Sequence, residues 1–331
     1  MKHTTIKIIA LALCLLMVLP LALAACAKKP DEEMEINIYA LNGTTALGMS
    51  QMIQKEKDNT DTMNYKITLH ASADAITGAI VSGECAIAAL PTNAAANLYK
   101  KSEGKIQLLA LNTLGVLYLL DSENTVTKLE DLRGKTVYLP GAGSNPEFIT
   151  AALLESAGLK VGTDVILDTT SYTSPDALQA AIIAGKAPLA VLPEPKVTVV
   201  TTNKNTVSVA LDLTAEWEKI NGENTLVQGC LVVNTAFAEE HPAEVAQFLK
   251  DYEESVNFIK EGSDEAINMI VEAGILPKAA IAKKALPKCN LCFISGEDMK
   301  PLMKTFCEKL HEQNNKAVAA VPDDGFYYVA K

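Results

Sequence analysis

From Glu35 onward the sequence repeats one unit: a short apolar run, a loop rich in Gly, Thr, Asn and Pro, then an amphipathic helix. That alternation predicts an α/β protein with mostly parallel sheet, because parallel neighbours must be joined by a crossover, usually a helix. Residues 35–40 are the first expected strand, 41–45 its loop and 46–57 its helix. Residues 65–70 and 74–82 form the second unit; 85–90, Pro91-Thr92-Asn93 and a helix from Ala94 form the third. Two more expected strands, 105–111 and 115–120, join at Asn112-Thr113.

A polar stretch at 121–125 breaks the pattern and reads as a linker, after which new units begin. They comprise a turn at 129–135 closed by Gly134, a strand at 136–139, a glycine-rich loop at 141–145 and a helix at 146–156 with Pro146 in its first turn. Ser174-Pro175 starts the next helix, 189–192 is a strand, and Pro193-Glu194-Pro195 opens another helix. Residues 225–234 are again a strand, with Gln228-Gly229 marking a second crossing, and the remainder to Lys309 is expected to be helices separated by prolines. Two crossings imply two lobes, residues 35–122 plus 226–331 and an inserted 123–225, with a cleft between them of the kind ligands prefer.

Upstream, Lys2 and Lys7 precede an uncharged run at 8–25 that ends in Leu23-Ala24-Ala25-Cys26. This is a signal-peptide layout, although the run is also at the short end of a membrane-spanning helix. Leu-Ala-Ala-Cys resembles the bacterial lipobox, which implies removal of residues 1–25, a lipid on the Cys26 thiol and a tether at 26–34. The protein would then sit on the outer, extracytoplasmic face of the cell membrane.

Of the seven cysteines, those two assignments remove Cys14 and Cys26, leaving Cys85, Cys230, Cys289, Cys292 and Cys307. An odd number cannot pair completely within one chain. Cys289 and Cys292 have C-x-x-C spacing but no second pair, and His70, His241 and His311 make no metal-binding repeat, so buried thiols and no metal are expected. With 29 Lys+Arg against 40 Asp+Glu and a net charge of −11, a nucleic-acid partner is excluded as a reading.

Several segments together resemble a known family: Leu41-Asn42-Gly43-Thr44-Thr45, the Gly83-Glu84-Cys85 run into Pro91-Thr92-Asn93, Leu129-Glu130-Asp131-Leu132-Arg133-Gly134-Lys135, Gly141-Ala142-Gly143-Ser144, Pro193-Glu194-Pro195 and the helix opening at His241-Pro242. They are similar to the substrate-binding proteins of ABC importers with the type II periplasmic-binding fold, in the nitrate/taurine/alkanesulfonate/thiamine-precursor (NitT/TauT) branch. The resemblance implies two mixed, mostly parallel sheets with flanking helices and a hinge. It also implies a monomer without cofactor or catalysis that captures a small polar organic molecule or oxyanion and delivers it to a membrane permease and its ATPase. Relatives in menaquinone and thiamine-pyrimidine biosynthesis share the architecture, so an enzyme is the alternative, as is a docking module for a membrane sensor.

Ligands of open α/β sheets sit beyond the carboxyl ends of the strands, at helix N-termini whose free N–H groups favour acceptors. That places Asn42, Gly43, Thr44, Thr45, Thr92 and Asn93 on one side of the cleft and Gly143, Ser144, Asn145 and Glu194 on the other, with Asn112 and Gln228 on the crossings. Tyr172, with Tyr39 and Phe148, could wall a planar ligand. The competing reading is that these hydroxyls and amides only cap their helices. The glycine loop lacks the rest of a phosphate-binding signature. Arg133 is the only arginine and lies in a structural turn, so no bidentate clamp is available for a sulfonate or carboxylate. An enzyme would need a poised acid, base or nucleophile, and His70, Cys85, Glu147 and Glu194 offer no evident partnership.

Overall fold

Strand β1 (Glu35–Leu41) forms where Ile36, Ile38 and Ala40 alternate inward with polar neighbours. The structure is a computed structural model that describes residues 31 and 33–330; the expected leader 1–25, the lipidated Cys26 and most of the tether lie outside the described residues. After β1 come α1 (Thr44–Leu47), α2 (Ser50–Asp58), β2 (Asn64–His70), α3 (Ala73–Ser82), β3 (Ile87–Pro91), α4 (Thr92–Lys101) and β4 (Ile106–Thr113). There follow β5 (Leu117–Asp121), β6 (Thr136–Tyr138), α5 (Asn145–Ser156), β7 (Ile166–Asp168), α6 (Pro175–Ile183), β8 (Leu189–Pro193), α7 (Lys196–Asn203), β9 (Ser208–Asp212) and α8 (Leu213–Asn221). The chain ends with β10 (Gly229–Asn234), α9 (Thr235–Glu240), α10 (Pro242–Lys260), α11 (Asp264–Glu272), α12 (Ala279–Ala285), β11 (Leu291–Ser295) and α13 (Met299–Gln313).

The strands make two sheets, ordered β11-β4-β10-β3-β1-β2 and β7-β6-β8-β5-β9. Parallel pairing holds for β1 with β2 and β3, and for β6 with β7 and β8, as the strand-loop-helix units require. Every pairing of β5, β10 and β11 is antiparallel, so the sheets are mixed and not mostly parallel. Strands β5 and β10 follow the crossings and enter their new sheet against its direction, while β11 is added at the edge of the first sheet antiparallel to β4.

Two boundaries differ from the sequence expectation. Strand β5, assigned to the first lobe through residue 122, hydrogen-bonds between β8 and β9 of the second sheet. The chain changes sheet at 114–116, where Leu114 N–H donates to Asn290 O (3.1 Å) and Val116 N–H to Gln228 Oε1 (2.6 Å). The expected single helix at 46–57 breaks into α1 and α2 at Gly48-Met49; a side chain at Gly48 would lie 2.4 Å from the Tyr252 hydroxyl. Short strands β7 and β11 were not legible.

The polar stretch at 121–125 is a turn built by one carboxylate. Asp121 is 1% exposed and accepts from the N–H groups of Glu123, Thr125 and Val126 at 2.7 to 3.0 Å and from Thr125 Oγ1 at 3.2 Å. Burial pushes its carboxyl up, but these donors outweigh burial and hold it below the usual carboxylate range. Such a depressed group contributes stability above its unfolded value of about 3.9, and that stability is lost as pH falls through the folded value. Asp121→Ala is expected to cost about 1.5–3 kcal/mol at pH 7 in urea denaturation, with the gap to wild type narrowing below about pH 4.

One apolar core runs continuously through both sheets. It joins Leu108 and Leu111 of β4 to Leu117 and Leu119 of β5, Ile149 and Leu153 of α5, Trp217 of α8, and Met303, Phe306 and Leu310 of α13. Separate clusters fill the α10 face of the first sheet and the α6–α7 face of the second. All five cysteines among the described residues are buried free thiols, pushed up in pKa first by desolvation, and no His/Cys/Asp/Glu group there is placed to hold a metal. No helix among the described residues is long and apolar enough to cross a membrane.

Candidate functional site

The carboxyl ends of β1, β3, β6 and β8 converge on one cleft of about 460 Å³, within the range of small-molecule sites. Asn42, Gly43, Thr44 and Thr45 follow β1, and Asn93 opens α4; Gly143, Ser144 and Asn145 face them from the loop after β6, with Glu194 after β8 and Gln228 at the crossing. Three expected contacts do not line it. Thr92 is fully buried and donates to Val227 O (2.6 Å); Asn112 is fully buried and donates from Nδ2 to Thr45 O (3.0 Å). Tyr172 packs edge-on against Tyr138. Tyr39 packs at a tilt against His70 and Phe148 is core, so no aromatic side chain lines the cleft among the described residues. Aromatic rings at strand ends were drawn into neighbouring packing, where they bury more surface.

Capping does not account for the hydroxyls at these loops. No side chain caps α1, α4 or α5, although a first helical turn leaves N–H groups without intrahelical partners. Ser144 Oγ instead donates to Gly141 O (2.9 Å) and Thr45 Oγ1 to Leu41 O (2.6 Å), while Glu147 takes the Gly143 N–H (2.6 Å). By contrast Ser72 and Ser174 do cap α3 and α6. The cleft therefore opens on two uncapped helices of useful length, one from each sheet.

Gln228 ties the parts together. Its Oε1 accepts from Val116 N–H, its main-chain O accepts from Thr92 N–H (3.3 Å) and from Asn145 Nδ2 (3.4 Å), and its own N–H donates to Thr113 O (2.9 Å). Across the cleft Asn93 Nδ2 reaches Gly143 O (3.4 Å). These contacts link first-sheet and second-sheet loops directly.

Glu194 is 1% exposed and turned onto its own helix: Oε2 accepts Thr198 N–H (3.0 Å) and Oε1 the Thr198 hydroxyl (2.9 Å). Burial raises its pKa, and the two Thr198 bonds oppose that rise. Both carboxylate oxygens are thus engaged by Thr198 of the following helix. Sequence reasoning missed Asp74, Asn97, Thr173 and Lys196, which also line the cleft. Lys196 directly follows Pro193-Glu194-Pro195 and could have been found from that motif; its ammonium is paired with Asp176. Arg133 is paired with Asp164, outside the cleft, as a structural role requires. A second depression of about 620 Å³, lined by Lys260, Asp264, Lys283 and Pro287, shares no residue with the cleft.

Two mixed sheets with flanking helices and a cleft at the crossing strands define the type II periplasmic-binding-protein fold. Residues 105–266 match a family model described as NMT1/THI5 like. Among solved structures, a Parabacteroides distasonis protein described as an ABC transporter matches with TM-score 0.74 at 22% identity, covering 91% of this chain and 100% of its own. The periplasmic aliphatic sulphonate-binding protein SsuA of Escherichia coli matches with TM-score 0.73 at 15% identity, covering 90% and 92%. The periplasmic nitrate-binding protein NrtA of Synechocystis matches with TM-score 0.63 at 12% identity, covering 85% and 82%. At such identities these similarities establish the fold. No curated protein matches the chain.

Proposed function

We propose that the protein is the extracytoplasmic solute-binding component of an ABC importer, which captures a small polar molecule in the cleft and delivers it unchanged to a membrane permease and its ATPase. The observation that carries this reading is the cleft itself, a ligand-sized space at the strand ends into which each sheet directs an uncapped helix N-terminus. Its fold neighbours include sulphonate- and nitrate-binding proteins and the ligand-binding component of a Staphylococcus aureus ABC-type import system. Each sheet with its helices acts as a lobe, and the crossings at 114–116 and 226–228 act as the hinge. Asn42, Gly43, Thr44, Thr45, Asn93, Gly143, Ser144, Asn145 and Gln228 form the contact surface.

Binding without turnover suits the chemistry gathered there, which is amide, hydroxyl and main-chain N–H. His70 packs against Tyr39 and does not line the cleft, and Glu194 is engaged by Thr198. A lipid on Cys26 would hold the monomer at the membrane within reach of its permease, with residues 26–34 as the tether. Asp31 N–H donates to Glu244 Oε1 (3.0 Å) in the first turn of α10.

The test is a thermal-shift screen of the full chain in detergent against a library of small metabolites. A ligand at 100 times its dissociation constant stabilises by about 2.7 kcal/mol. Asn93→Ala and Ser144→Ala are expected to weaken that binding while leaving unliganded stability within about 2 kcal/mol of wild type. No stabilisation by any compound, or chemical conversion of a bound one, would overturn the reading.

A further inference from the structure

Asn145 opens α5 where the two sheets meet, and its neighbours fix which way its amide points. Thr92 Oγ1 gives its only proton to Val227 O, so towards Asn145 it can only accept, and Gln228 O is a carbonyl that can only accept. Nδ2 must therefore face both, at 3.4 Å each; the flipped amide would set oxygen against two acceptors. Oδ1 is left as a fixed acceptor. Asn145 is 4% exposed and lines the cleft, and its Oδ1 is buried without a partner. A ligand N–H or O–H would satisfy it.

The charges around the cleft point the same way. Its ionisable lining residues are Asp74, Glu194 and Lys196. Lys196 is paired with Asp176, Glu194 is bonded to Thr198, and Asp74 brings a carboxylate near the mouth. An anion would lose hydration with no unpaired cation to meet it, and would face an acceptor at Asn145. The uncapped openings of α4 and α5 supply N–H donors for a ligand carbonyl. Between these polar points the wall is made of proline rings, among them Pro91, Pro140, Pro146 and Pro193.

Resting on the reading of the cleft as a solute site, we infer that it selects uncharged solutes presenting an amide or ureide edge and discriminates against anions. The edge N–H donates to Asn145 Oδ1 and the adjacent carbonyl accepts from helix N–H groups. Asn145 is the specificity-determining residue.

Calorimetric titration of the full chain in detergent tests this with uracil, hydantoin and 2-pyrrolidone on one side and methanesulfonate and nitrate on the other. At least one uncharged probe is expected to bind and neither anion to do so at the same concentration. Asn145→Ala is expected to weaken the uncharged probe at least tenfold; if that variant fails to fold, Asn145→Ser, which keeps a hydroxyl that can donate towards Gln228 O but is too short to set an acceptor where Oδ1 stands, serves with the same expectation. Binding of anions equal to or tighter than the uncharged probes overturns the selectivity while leaving the solute-binding reading intact. Unchanged affinity in the Asn145 variant overturns its role. Failure of every probe overturns this inference, and the metabolite screen decides separately whether the solute-binding reading falls with it.

Discussion

Alanine at Trp217 is expected to lower the unfolding free energy by about 3–5 kcal/mol, the usual cost of emptying a large buried aromatic site. Trp217 is fully buried on α8, its ring 6.0 Å from Phe306 of α13, and its Nε1–H donates to Thr225 Oγ1 at 3.1 Å. The site lies in the core that both sheets share, so the cavity would open where α8 packs against the returning C-terminal helix. Trp217→Phe, which keeps most of the volume and loses the indole donor, is expected to cost less than half as much. The protein has a single tryptophan, so urea denaturation of these variants must be followed by far-UV circular dichroism. A cost below about 1 kcal/mol for the alanine variant would contradict the shared core.

A second large effect is expected at Gly229, where the chain re-enters the first sheet. A methyl group there would stand 2.5 Å from Asn112 Oδ1, 2.8 Å from Thr45 Cγ2 and 2.9 Å from Thr113 Oγ1. All three neighbours are buried, and Asn112 is tied to Thr45 O, so the crowding cannot be relieved by turning one side chain into solvent. Gly229→Ala is expected to destabilise by about 1–3 kcal/mol through overpacking. Because Thr45 lines the cleft, the same substitution should also lower solute affinity. Equilibrium unfolding and ligand titration on one preparation separate the two effects, and wild-type behaviour in both would show that Gly229 is not needed for the close approach.

Much of the fold was legible because its signals are local. Gly134 adopts positive φ at the turn where sequence placed it, Pro146 and Pro175 open their helices, and inward alternation marks β1. Antiparallel pairing was not legible, since β10 inserts between β3 and β4 by contacts with residues more than a hundred positions away. Strand β5 was misplaced for a related reason: the polar run after it resembles a linker, yet Asp121 spends that polarity on a tight turn. At the cleft, Gly, Ser, Thr and Asn after parallel strands led to loops that line it. Which of them face inward depended on partners no local pattern reveals, as Thr92 with Val227 and Glu194 with Thr198 demonstrate.

The central claim is that the cleft holds one solute without changing it. Native mass spectrometry of the full chain isolated from its own host tests this whatever the solute is. One small molecule per chain is expected on wild type, released chemically intact, and absent or depleted from Asn93→Ala. Retention of the same molecule by Asn93→Ala together with Ser144→Ala, or its release in altered form, would contradict the account.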